Sequence, residues 1–110
     1  MQEQAKQIAA LLKTLANENR LMIFCALMDG PKNVGEIAKG VCNISQPALS
    51  QHLALLKAHG ILTSQKSGMN TVYSIADDRV RELIHVLRKY YCGEPDTINT
   101  TNKYFIETRG

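Results

Sequence analysis

The segment from Ser45 to Gly60, Ser-Gln-Pro-Ala-Leu-Ser-Gln-His-Leu-Ala-Leu-Leu-Lys-Ala-His-Gly, constrains this chain more than any other. It spells a helix with a start, two faces and a stop. The Ser45 hydroxyl suits an N-cap, because it can accept a hydrogen bond from an orphan amide of the first turn. Pro47 falls in that first turn, where a missing N–H costs nothing. Gly60 suits the left-handed residue that ends a helix. At 3.6 residues per turn, Leu49, Leu53 and Leu56 share one face, flanked by Ala48 and Leu55. The opposite face carries Gln46, Ser50, Gln51, Ala54 and Lys57. It is polar, partly small and free of acid. A helix made only for solubility would mix charge signs there, whereas one that meets phosphates and base edges would not.

The rest of the charge pattern points the same way. The net charge is only +3, which by itself says little about partners. The ten acids, however, leave the whole stretch from Ile37 to Ala76 without one, while Lys39, Lys57, Lys66, His52 and His59 remain in it. A surface that approaches a polyanion has a physical reason to exclude carboxylates.

The flanking segments complete a small, mainly α fold with a β-hairpin, about five helices plus a wing. Ile8, Leu11, Leu12 and Leu15 repeat at helical spacing. Asn17 then caps a second helix, Glu18 to Met28, apolar on nearly all sides and so expected to be buried. Asp29-Gly30-Pro31 stops it. A short helix over Val34 to Gly40, a turn through Val41 to Ile44 and the Ser45 helix make a helix-turn-helix. Two strand-like runs, Ile61 to Lys66 and Thr71 to Ile75, flank Ser67-Gly68-Met69-Asn70 and read as a hairpin wing. Asp77 and Asp78 can cap a last helix with the stripe Val80, Leu83, Ile84, Leu87 and Tyr91. Residues 1–92 are expected to form one winged helix-turn-helix domain for DNA binding and dimerisation. Residues 93–110 are expected to form a polar, loose tail, from which Tyr104-Phe105-Ile106 could dock.

The DNA-contact candidates follow from position and chemistry. Gln46 and Gln51 carry amides that donate and accept, which suits adenine edges. Ser45, Pro47 and Ser50 lie at the helix N-terminal end that enters the major groove. His52, near the edge of the apolar face, suits packing or a phosphate. Lys57, Lys66 and Asn70 at the wing tip are further contact candidates. A dimer reading two half-sites about 34 Å apart gains affinity and register, and the stripes of the first and last helices are its natural surfaces.

The order of elements resembles the ArsR-type winged-helix repressors. The residues that carry the resemblance are Leu15-Ala16-Asn17-Glu18-Asn19-Arg20-Leu21, Val34-Gly35-Glu36-Ile37, Ser45 to Leu53, and Thr71-Val72-Tyr73-Ser74-Ile75. It covers about residues 5 to 92. It implies a homodimer that sits on double-stranded operator DNA and leaves it when an inducer binds. The cysteines resemble the dithiol branch that senses persulfides and related reactive sulfur. Cys25 in the second helix and Cys92 at the end of the last helix match that branch, while Cys42 does not belong to its pattern. The implied inducer is a small reactive sulfur species or oxidant acting on Cys25 and Cys92, with no cofactor and no metal. A Cys-ligated metal sensor of the same fold, or a repressor without an inducer, are the alternatives. There is no Cys-x-Cys, and the last helix offers only Glu82 and His85 as ligands of the usual kind.

Other classes fit poorly. Ser50 and His52 are two apart on a helix and do not face each other, so with Asp77 they make no triad, and the chain is not expected to be an enzyme. The longest apolar run, Leu21 to Met28, is too short to span a bilayer. Without a signal segment, three cysteines imply reduced thiols in the cytoplasm.

Overall fold

The computed structural model describes residues 1–93. The elements run α1 (Gln2–Leu15), α2 (Glu18–Leu27), β1 (Lys32–Asn33), α3 (Val34–Lys39), α4 (Gln46–Ala58), β2 (Leu62–Ser67), β3 (Asn70–Ile75) and α5 (Asp78–Tyr91). Five helices and a wing are thus as expected. The tail after Gly93, including Tyr104-Phe105-Ile106, lies outside the described residues.

Local chemistry sets most of the boundaries. The Asn17 side chain accepts from the amides of Asn19 and Arg20 and so starts α2. Asn33 and Glu36 form a reciprocal capping box on α3. Asp77 caps α5 through the Arg79 amide. Gly30 and Gly60, with φ of 127° and 75°, take the left-handed conformations that end α2 and α4.

The sheet differs from the simple hairpin read in the sequence. It has three antiparallel strands in the order β1-β3-β2, with Lys32 opposite Tyr73 and Asn33 opposite Val72. A two-residue strand has no alternation to betray it, and Asn33 doubles as the α3 cap. The wing tip is also tighter than the four-residue link expected. Ser67 pairs with Asn70, which leaves Gly68 and Met69 as the turn. Gly68 has φ of 64°, the positive value that a two-residue II′ turn needs at its first position.

The core joins Leu15 of α1, Ile23, Phe24 and Leu27 of α2, Ile37 of α3, Leu49, Leu53 and Leu56 of α4, and Val80 and Ile84 of α5. The expectation that α2 is buried all round holds for one face only. Leu21, Met22, Cys25 and Met28 are half-buried, because α2 packs on α3, β3 and α5 and keeps an open side between its neighbours. Helix α1 is more extreme. Leu15 is its one buried residue, and Ile8 and Leu12 remain 51% and 47% exposed.

Candidate nucleic-acid interface and thiol groove

Helix α4 presents the two faces its spacing predicts. Leu49, Leu53 and Leu56 are fully buried, whereas Gln46, Ser50, Gln51, Ala54 and Lys57 are exposed. The Ser45 hydroxyl accepts the Ala48 amide at 3.2 Å, and Pro47 sits in the first turn. The turn that leads in carries Asn43 at φ 57°, a left-handed value that asparagine tolerates better than most residues. Lys66 and Asn70 are exposed beside the wing tip. Two arms of exposed polar and basic side chains, one helical and one β, therefore follow one another in the acid-free stretch. The carboxylates that bound the stretch are occupied with caps. Glu36 accepts the Asn33 amide at 2.9 Å, and Asp77 accepts from both the amide and the guanidinium of Arg79. That guanidinium hydrogen bond is the main cause of a lowered Asp77 pKa.

His52 sits apart from the other candidates. It is half-buried, and its Nδ1 accepts a hydrogen bond from Arg20 Nε at 3.1 Å. A guanidinium nitrogen can only donate here, so Nδ1 is the unprotonated nitrogen and the neutral ring carries its hydrogen on Nε2. Partial burial, then the charge of Arg20, hold its pKa below the usual imidazole value of 6.5. The consequence for stability has a definite sign. Below about pH 6.5 the unfolded chain takes up a proton on His52 that the folded protein resists, so stability falls as the pH drops through that value. Above it His52 contributes no slope. Thermal unfolding between pH 8 and pH 5 should therefore show a shallower acid loss in His52→Asn than in the native protein. Equal slopes would remove His52 from the account.

The cysteines divide into two environments. Cys25 from α2 and Cys92 from the end of α5 line the same groove, of about 290 Å³. Leu21 completes the α2 side, and Ile84, Leu87, Arg88 and Tyr91 the α5 side. Cys25 is half-buried and Cys92 exposed, so the groove has an inner and an outer thiol. Cys42 lies elsewhere, exposed in a hollow with Asn17, Glu18, Asn19, Met22 and Asn43. Among the described residues, no three His, Cys, Asp or Glu side chains gather as a metal site, and no helix is long and apolar enough to cross a membrane.

Two features were not legible in the sequence. Arg20 had no assigned task, because its partner His52 lies 32 residues away. The groove walls Leu21, Leu87 and Tyr91 read only as parts of apolar stripes.

Residues 17–64 match the model of the bacterial regulatory proteins of the arsR family. The chain is 37% identical over 92 residues to the transcriptional activator HlyU of Vibrio cholerae, covering 84% of each protein. It is 36% identical over 98 residues to the biofilm growth-associated repressor of Agrobacterium fabrum, covering 89% of this chain and 83% of that one. The solved structure of reduced HlyU superposes with a TM-score of 0.74 at 39% identity, over 84% of this chain and 99% of that one. A homodimeric winged helix-turn-helix DNA-binding domain from Mycobacterium bovis, described as a possible ArsR-family regulator, gives a TM-score of 0.66 at 29% identity. It spans 78% of this chain and 79% of that one.

Proposed function

This chain belongs to the arsR family and is a DNA-binding transcriptional regulator, and from that premise we propose that it is a homodimeric cytoplasmic repressor released from operator DNA when Cys25 and Cys92 are oxidised by a persulfide. The observation that carries the reading is the shared groove. Two thiols far apart in the sequence, one from the second helix and one from the end of the last, line one cavity between two helices that pack on each other.

The chemistry balances without a cofactor. One thiolate attacks the outer sulfur of glutathione persulfide, becomes a protein persulfide and releases glutathione. The second thiol attacks the inner sulfur of that persulfide, closes a Cys25–Cys92 disulfide and expels hydrogen sulfide. The two protein thiols lose two electrons and two protons, and the persulfide is reduced to glutathione and hydrogen sulfide. Reaction with further persulfide before closure lengthens the bridge to a polysulfide. Either bridge ties α2 to α5.

Homodimerisation supplies the lever. Helix α1 buries one residue and exposes Ile8 and Leu12, while α5 exposes Val86, Leu87 and Tyr91, the last at 84%. Apolar side chains of this kind on two helices suit a subunit interface. The similar domain from Mycobacterium bovis is homodimeric, which favours a homodimer here. A tie between α2 and α5 then biases the spacing of two α4 helices against two half-sites. Reading by α4 assigns Gln46, Ser50 and Gln51 to base edges and Ser45, Pro47, Lys57, Lys66 and Asn70 to the backbone around them.

The test uses a fluorescent duplex selected by the protein from a random pool. Glutathione persulfide should abolish its anisotropy signal, and dithiothreitol should restore it. Binding that survives persulfide overturns the inducer, and release by a thiophilic metal alone moves the sensor to metal.

A further inference from the structure

We propose that Arg20 is a positioning residue for DNA recognition: it pins α4 through His52 to the junction of α1 and α2. The inference rests on α4 as the DNA-reading helix and is independent of the thiol chemistry.

Three hydrogen bonds meet at Arg20. Its backbone amide is held by the Asn17 side chain at 3.1 Å, at the cap of α2. One terminal nitrogen of its guanidinium donates to the Thr14 carbonyl at 2.8 Å. Thr14 lies in the last turn of α1, where carbonyls lack intrahelical partners and a cation is favoured. The remaining bond runs from Nε to His52 Nδ1 in the middle of α4. All three bonds are partly buried, and the two from the guanidinium are charge-assisted and so stronger than neutral ones.

The position of His52 explains why the bond matters to reading. His52 follows Ser50 and Gln51 directly, on the flank between the buried leucines and the exposed face. The leucines hold α4 against the core, but apolar contacts are not directional. A hydrogen bond to a fixed guanidinium is directional, and it opposes roll of α4 about its own axis. A roll would swing Gln46, Ser50 and Gln51 together away from the base edges they meet. Arginine suits this task better than lysine, because its planar fork reaches two acceptors in fixed directions.

The test separates positioning from direct contact and from general stability. Asparagine at position 52 places an amide oxygen close to where Nδ1 lies, whereas leucine offers no acceptor. His52→Leu and Arg20→Gln should each weaken binding to the selected duplex by about tenfold or more. His52→Asn should stay within about threefold of the native protein. The double variant Arg20→Gln/His52→Leu should bind no more weakly than the weaker single variant, because one link is lost once. Losses that multiply, or a His52→Leu protein that binds like the native one, would overturn the proposal. A His52→Asn protein as weak as His52→Leu would mean that the imidazole itself meets DNA, which also overturns it. If Arg20→Gln does not fold, the two His52 variants still decide, since both leave the Thr14 carbonyl capped. A native protein that selects no duplex would instead refute reading by α4.

Discussion

Ser50→Glu should lower affinity for operator DNA by about a hundredfold or more and leave the fold intact. Ser50 is exposed in the middle of the outer face of α4, so the change disturbs no packing within the fold. Glutamate is at least as good a helix former as serine, so α4 itself tolerates the change. What changes is the sign of the charge brought to the groove, in a stretch from Ile37 to Ala76 that otherwise holds no acid. Repulsion from phosphate acts whichever base Ser50 meets. Gln51→Ala should be milder, about 5- to 100-fold, because it deletes one amide readout and introduces no repulsion. Anisotropy on the selected duplex, with thermal unfolding run beside it, checks both. A Ser50→Glu protein that binds within about threefold of native would show that α4 does not face DNA through this side.

Cys25→Ser and Cys92→Ser should each bind DNA as the native protein does, and each should keep DNA under persulfide concentrations that release the native protein completely. Serine is close in size to cysteine and exposes no new charge. Cys25 is half-buried and Cys92 exposed, so neither change opens a core cavity. The loss of response is all-or-none because a bridge needs both sulfurs. Cys42→Ser should respond like the native protein, since Cys42 lies in a separate hollow. Release of both single variants by persulfide would remove the dithiol from the mechanism.

How far the sequence could be read depended on the range of each signal. Helix α4 was legible to its ends, because Ser45, Pro47 and Gly60 act within a turn of themselves and the leucine spacing is local. The caps at Asn17 and Asp77 were legible for the same reason. Strand β1 was not, since so short a strand carries no period and its partner β3 follows only after α3, α4 and β2. The tight Gly68-Met69 turn was blurred because Ser67 and Asn70 read as turn residues although they pair. The Arg20–His52 bond depends on how α1, α2 and α4 pack, which no local pattern encodes. The pairing of Cys25 with Cys92 came from resemblance and not from spacing. The half-buried side of α2 was missed because an apolar sequence does not reveal which of its faces has a neighbour.

The most direct test is to map the bridge in the protein that has let go of DNA. Trypsin leaves Cys25 in the peptide Leu21 to Lys32, Cys42 in Gly40 to Lys57 and Cys92 in Tyr90 to Lys103, so each thiol has its own fragment. After persulfide treatment and digestion without reductant, mass spectrometry should find the first and third peptides joined, lighter than their sum by two hydrogens for a disulfide, with one further sulfur mass for each extra atom in a polysulfide. The peptide with Cys42 should stay separate, and dithiothreitol should part the joined pair as DNA binding returns. Released protein in which the Cys25 and Cys92 peptides are unlinked, or linked instead to Cys42, would contradict the account.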